Sequence, residues 1–216
     1  MISWIPKTSS PSLKLLCLGA HSDDIEIGCG GTILRLLRER PGCDVRWIVF
    51  SASLKRRKEA LAGAELFLKQ AAKKRVQVLD FRDGFFPYQG MEIKQAFEKL
   101  KREFQPDVIL THQHKDLHQD HRTICDLAWN TYRNHLILEY EIPKYDGDMG
   151  APNFFVRLSK TDARTKIDYL HRAFQSQAKK HWFTEDTFAA LMRLRGMESN
   201  SESLFAEAFY ARKFAF

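Results

Sequence analysis

Two short stretches concentrate groups that can do chemistry. "AHSDDIEIGCGG" (20–31) sets His21, Asp23, Asp24 and Glu26 within six residues. "THQHKDLHQDH" (111–121) holds His112, His114, His118 and His121 with Asp116 and Asp120. Burying so many ionisable groups without partners is costly, so either they are solvated or a positive charge sits among them. Neutral imidazole and carboxylate are the ligands of a catalytic zinc, which keeps three protein ligands and one open position for water. A carboxylate left over can take a proton from such a water. A histidine left over can donate to a developing oxyanion, and a carboxylate beside it can hold its tautomer and charge. These roles describe a hydrolase acting on a carbonyl. The ligand set suits other divalent ions as well.

The elements around these stretches explain how they would meet. "LKLLCLGA" (13–20) is a continuous apolar run, the mark of a strand buried on both faces. "GGTILRLLRER" (30–40) has helical spacing, "DVRWIVFSAS" (44–53) is a strand, and "KRRKEALAGAELFLKQAAKK" (55–74) a helix. Strand 75–81, helix 92–104, strand 106–112, helix 120–134 and strand 136–142 follow. The turn-rich "YDGDMGAPN" precedes a short strand at 154–159, and residues 161 to about 197 are expected to be helical. The aromatic tail "LFAEAFYARKFAF" is expected to finish the core or to bury against another subunit. Alternating strands and helices call for an α/β fold: a Rossmann-like three-layer sandwich with a mostly parallel sheet and right-handed crossovers. Ligands collect at the carboxyl ends of such strands. Either cluster alone reads as a polar loop; together they follow the first and fourth strands and converge on one sheet edge. "GCGG" matches only part of G-x-G-x-x-G, and its glycines are expected to let a turn and a helix start pack close to the site.

Composition narrows the setting. The 216 residues are expected to form one domain (1–216) with a helical C-terminal portion at about 161–216. A formal charge of +7 suits an anionic small molecule, although the basic residues are spread along amphipathic segments. No RNA-module or zinc-finger spacing points to nucleic acid. Cys17, Cys29, Cys43 and Cys125 are scattered without a C-x-x-C, which predicts a reducing compartment. No run approaches the roughly 18 apolar residues of a membrane span, and "MISWIPKTSSPSLK" does not read as a secretory signal. A cytoplasmic protein is expected, with homo-oligomerisation suggested by the aromatic tail. The tryptophans and most of the phenylalanines read as core or interface, with Trp4 the least constrained.

The two stretches together, A-H-S-D-D-x-E-x-G-x-G-G and H-x-D-x-H-x-D-H, resemble the LmbE/PIG-L family of zinc-dependent N-acetylglucosaminyl deacetylases. "RRKEALAGAELFL", "FQPDVILTH", "AFQSQ", the Arg-Gly pair at 195–196 and "FAEAF" are similar to further family landmarks. The resemblance implies His21, Asp24 and His121 as zinc ligands and Asp23 as the general base. It implies that His118 stabilises the oxyanion or protonates the leaving amine, with Asp120 orienting and charging it. Arg56 matches a family arginine that contacts substrate, and Asp83 a substrate-contacting acid. Ser22 replaces the usual proline, and Glu26 lies one position later than the family glutamate and is not taken as a ligand. His112 is assigned a hydrogen bond that supports a metal ligand or the fold, and His114 a solvent-facing place. The family's mobile tyrosine has no clear counterpart; Tyr88 and Tyr145 are the candidates. The implied activity is removal of acetyl from an N-acetylated amino sugar or its conjugate. Two other readings use the same residues: a non-catalytic nucleotide- or sugar-binding protein, and a metal phosphoesterase, which usually asks for two metals.

Overall fold

A computed structural model of the chain describes residues 12–214; Trp4 lies outside them. Strands β1 (Lys14–Gly19), β2 (Asp44–Val49), β3 (Lys73–Val78), β4 (Val108–His112) and β5 (Leu136–Tyr140) run parallel. Strands β6 (Phe154–Leu158) and β7 (Phe205–Ala211) extend the sheet antiparallel, giving the order β3-β2-β1-β4-β5-β7-β6. The order reverses between β1 and β4, so the loops after them open a crevice at the sheet's carboxyl edge.

Alternation along β1 feeds two cores. Leu15 and Cys17 pack with α1 (Asp24–Glu39), α2 (Leu54–Phe67) and α5 (Lys160–Ala173). Leu16 and Leu18 pack with α3 (Gly90–Glu103) and α4 (Gln119–Thr131) on the other face. The three layers expected from the sequence are therefore present.

Three expectations need correction. The helix expected at 30–40 begins at Asp24, inside the first acidic stretch, and the glycines lie within it rather than in a turn. It kinks at Cys29 (φ −145°). The amides of Gly31 and Thr32 past this kink are taken up by the buried Glu207 carboxylate, at 2.9 and 2.6 Å. Glu207 in turn pairs with the buried Lys166 at 2.6 Å. The helical stretch expected from 161 breaks after α5, and α6 (Glu185–Glu198) starts afresh at its Thr184 cap. Finally, the aromatic tail is not helical. It forms β7, inserted between β5 and β6, and its buried apolar residues finish the core, one of the two places expected for them.

Candidate functional site

The turn from β1 into α1 carries His21, Ser22, Asp23 and Asp24, and the loop from β4 into α4 carries residues 113–121. Because β1 and β4 are hydrogen-bonded neighbours, residues about ninety positions apart face one cleft. His21, Asp23, Asp24, His118 and His121 all line it.

Within the cleft, His21 Nδ1, Asp24 Oδ2 and His121 Nε2 form a triangle with edges of 3.2, 3.5 and 3.6 Å. Ligand atoms held at about 2.0–2.1 Å by one tetrahedral ion lie roughly 3.3–3.4 Å apart. The spacing and the two-nitrogen, one-oxygen chemistry therefore fit a zinc-sized divalent ion. Each histidine turns its other nitrogen to a carboxylate, His121 Nδ1 to Asp116 Oδ2 at 2.9 Å and His21 Nε2 to Asp120 Oδ2 at 3.3 Å. Such partners fix ring orientation and the nitrogen that stays free for a metal. Burial and the adjacent His112 push His121 down to about 4, so it offers a lone pair at neutral pH. Burial opposes charge on His21, but Asp120, Asp24 and Asp83 outweigh it and hold the ring well above its ordinary value. Three carboxylates around one point call for a cation there.

Asp23 lies beside the triangle with its side chain 10% exposed, and its Oδ1 accepts from Arg56 Nη2 at 2.8 Å. Burial raises the Asp23 carboxyl and Arg56 opposes the shift. The Arg56 guanidinium is also held by Glu59 at 2.7 Å, and Glu59 takes the Ser176 amide and hydroxyl. Arg56 is thus engaged as the clamp on Asp23 while it also lines the cleft.

His118 Nδ1 accepts from the Asp120 amide at 3.2 Å, so in the neutral ring the proton sits on Nε2. Burial and His21 push this ring's pKa down. The Asp120 carboxylate does not reach the His118 ring as implied. It takes the Gly84 and Phe86 amides at 2.6 and 3.1 Å and stands against His21. Fully buried, it anchors the loop after β3 to the site. That loop brings Asp83 Oδ1 to 3.0 Å from His21 Nε2, with the Asp83 side chain 76% exposed.

His112 is structural. It is buried, accepts the Ala20 amide at 2.9 Å and stacks on His121 with centroids 3.9 Å apart. His114 is exposed and bonds Asp126. Tyr145 lines the cleft; Tyr88 is exposed and does not. Sequence reading gave no role to Asp116 and Lys144. Lys144 Nζ lies 2.9 Å from Asp116 Oδ2 and 2.6 Å from Asp148 Oδ2, tying the loop after β5 to the His121 side. The signal for Asp116 was its place in H-x-D-x-H, between His114 and His118; Lys144 had none. Trp182 packs against the core, as expected of the tryptophans, but is partly exposed and also lines the cleft.

Comparison with known proteins places the fold and the family. Diacetylchitobiose deacetylase of Thermococcus kodakarensis is 30% identical over 108 residues, which span 45% of this chain and only 39% of that protein. N,N'-diacetylchitobiose deacetylase of Pyrococcus horikoshii superposes with a TM-score of 0.71 at 22% identity, covering 92% of this chain and 83% of that one. The 4-carboxy-2-hydroxymuconate hydratase GalB of Pseudomonas putida KT2440 does so at 0.74 and 18% identity, covering 94% and 98%. At that identity the two structures speak for the fold, and one fold hosts several chemistries. The sequence match to the family of the GlcNAc-PI de-N-acetylase, PIG-L, runs over residues 16–132 and takes in both clusters, and this chain belongs to that family.

Proposed function

We propose that this chain, acting as one catalytic unit, is a metal-dependent hydrolase that removes acetyl from an N-acetylated amino sugar or its conjugate, releasing acetate and a free amine. The observation that carries the reading is the His21–Asp24–His121 triangle with Asp23 and His118 at its side, all in one cleft. The deacetylase names among its relatives support it. His21, Asp24 and His121 would hold the ion, with zinc our choice. A divalent ion held there would polarise the acetyl carbonyl and acidify the attacking water.

The chain's own groups supply the rest. Asp23 takes the proton of the water that attacks the carbonyl carbon. Arg56 holds one Asp23 oxygen and leaves the other free to receive it. The proton then passes to the departing nitrogen, so the atoms of water divide between acetate and amine. His118, neutral with its proton on Nε2, donates a hydrogen bond to the tetrahedral oxyanion. Asp120 positions His21, and Asp83 reaches the cleft as an acceptor for substrate hydroxyls. The cleft lining holds the cations Arg56, Lys144 and Lys180 against Asp23, Asp24, Asp83 and Asp146. The overall positive charge is therefore not focused on the cleft, and the reading does not require an anionic substrate.

We place the activity in a reducing, cytoplasmic setting. The four cysteines are buried and unpaired, and no helix among the described residues is long and apolar enough to cross a membrane. Acetate release from N-acetylated amino sugars by the metal-loaded chain, run beside Asp23→Asn, tests the function. The variant is expected to keep its metal and lose about 10²–10⁴-fold in rate. Equal rates, or no release by the native chain with metal bound, would overturn the reading.

A further inference from the structure

Helix α1 does not run through as one helix. Cys29, at φ −145°, divides it into a first turn, capped by Asp23 and opened by Asp24, and a shaft that buries Ile33 and Leu37 in the core. In an unbroken α-helix the Gly31 amide would donate to the Ile27 carbonyl. Here side chains of other elements take up both groups. Lys166 Nζ, from α5, donates to the Ile27 carbonyl at 2.5 Å. The Glu207 carboxylate, from β7, accepts the Gly31 and Thr32 amides at 2.9 and 2.6 Å. The two side chains meet each other at 2.6 Å. An ion pair is thus set into the helix ladder, and such an insertion kinks a helix.

The pair is closed off from solvent, with Lys166 3% and Glu207 4% exposed. Two charges taken out of water gain little net stability even when paired, and apolar side chains of like volume often serve as well. A buried pair therefore asks for another reason. What this one fixes is direction. The Ile27 amide donates to the Asp23 carbonyl at 2.9 Å, so the carbonyl that Lys166 grips belongs to the turn that carries Asp23 and Asp24. Asp24 Oδ2 in turn takes the His21 amide at 2.6 Å, which ties His21 to the same turn. A Cβ on Gly31 would stand 2.5 Å from Leu158 and 3.0 Å from Glu207 Oε1, so glycine lets the carboxylate reach the backbone. Neither Lys166 nor Glu207 lines the cleft. Both lie beyond residues 16–132, over which the chain matches its family.

We infer that the buried Lys166–Glu207 pair aims the first turn of α1, which makes Lys166 and Glu207 positioning residues for Asp23 and Asp24. Without the pair, the Gly31 amide and the Ile27 carbonyl close on each other, α1 straightens and the turn leaves the triangle. The inference rests on the reading that the triangle holds a divalent ion.

The test loads the protein with cobalt(II) in place of zinc and reads its visible absorption, which reports ligand geometry. Lys166→Met combined with Glu207→Met removes both charges together and leaves no lone charge buried, so its thermal midpoint is expected to match or exceed the native one. Its cobalt affinity is expected to fall at least about tenfold, with an altered band shape. Glu207→Asp keeps both charges and draws the carboxylate back by one methylene; the same change is expected in smaller measure. A merely structural pair would move the midpoint and leave the cobalt site of the folded protein as it is. Native affinity and band shape in the folded double variant overturn the inference. If the double variant does not fold, Glu207→Asp decides by the same criterion. His121→Ala is the control: a native chain that binds no cobalt, or bands that survive in His121→Ala, overturn the assignment of the ion to the triangle and this inference with it. Cobalt bound at the triangle without acetate release overturns the deacetylase reading alone, and the cobalt data still decide the aiming.

Discussion

Asp116 shows how much of a cleft can rest on one buried carboxylate. Its Oδ2 accepts from His121 Nδ1 at 2.9 Å and from Lys144 Nζ at 2.9 Å, and its Oδ1 takes the His118 amide at 2.8 Å. One buried carboxylate thus sets the free nitrogen of His121, the position of His118 and the anchorage of the loop after β5. Burial opposes its charge, yet His121, His112 and Lys144 hold its carboxyl far below the usual range. Removing an outer-shell partner of a ligating histidine typically costs about 10–100-fold in metal affinity. Asp116→Asn is therefore expected to weaken zinc binding by that factor, read by competition with a chromophoric chelator; native affinity in the variant would remove Asp116 from this role. The two clusters were legible as a candidate site because their residue types and spacing carry chemistry directly, and the role of each residue came from the resemblance. Asp120 was legible as a site residue but not in its contacts, since its partners Gly84 and Phe86 lie on another loop. Lys144 and Trp182 stood on loops whose course only the tertiary structure gives.

Helix α1 is the element that brings the site together, and its glycines are packing devices. A Cβ on Gly28 would stand 2.1 Å from the Tyr140 ring. Tyr140 cannot yield easily: it is buried, donates to the Leu18 carbonyl at 2.6 Å and lies against the buried His112 ring. Alanine gains about 0.8–1.0 kcal/mol over glycine in an open helix, but overpacking costs typically about 1–3 kcal/mol and more where the neighbour is fixed. Gly28→Ala is expected to lower stability by about 1–3 kcal/mol, seen as a fall in thermal midpoint of about 2–12 °C for a chain of this size. An unchanged midpoint would mean that α1 can slide away from the sheet. The strands and helices of the parallel half were readable from apolar runs and helical spacing because each repeats one local rule. The start of α1 was not, because its first turn is filled with carboxylates and glycines that only a packed partner justifies. For the same reason β7 was hidden: its Glu207, buried on the α1 kink, interrupts the apolar pattern of a strand.

At the scale of the molecule, the three atoms of the triangle come from the β1–α1 junction and from α4, so an ion there would bridge elements 100 residues apart in sequence. The distant landmarks serve the same frame. Arg195, buried, grips Glu141 at 2.9 and 2.7 Å and so fixes the start of the loop that carries Lys144 and Tyr145. Ser176 holds Glu59, which holds Arg56 on Asp23. An ion that binds this folded arrangement and not the unfolded chain must raise stability by mass action, by about 2.7 kcal/mol at a hundredfold excess over Kd. For a chain of this length that corresponds to a rise in thermal midpoint of about 5–10 °C. Stripping with a chelator is expected to lower the midpoint by this amount, and zinc to restore it. Asp23→Asn, which leaves the triangle intact, should keep the shift, and His121→Ala should lose it. A shift that survives in His121→Ala would place the ion elsewhere, on groups that do not join β1 to α4, and would remove the structural basis for the whole catalytic assignment.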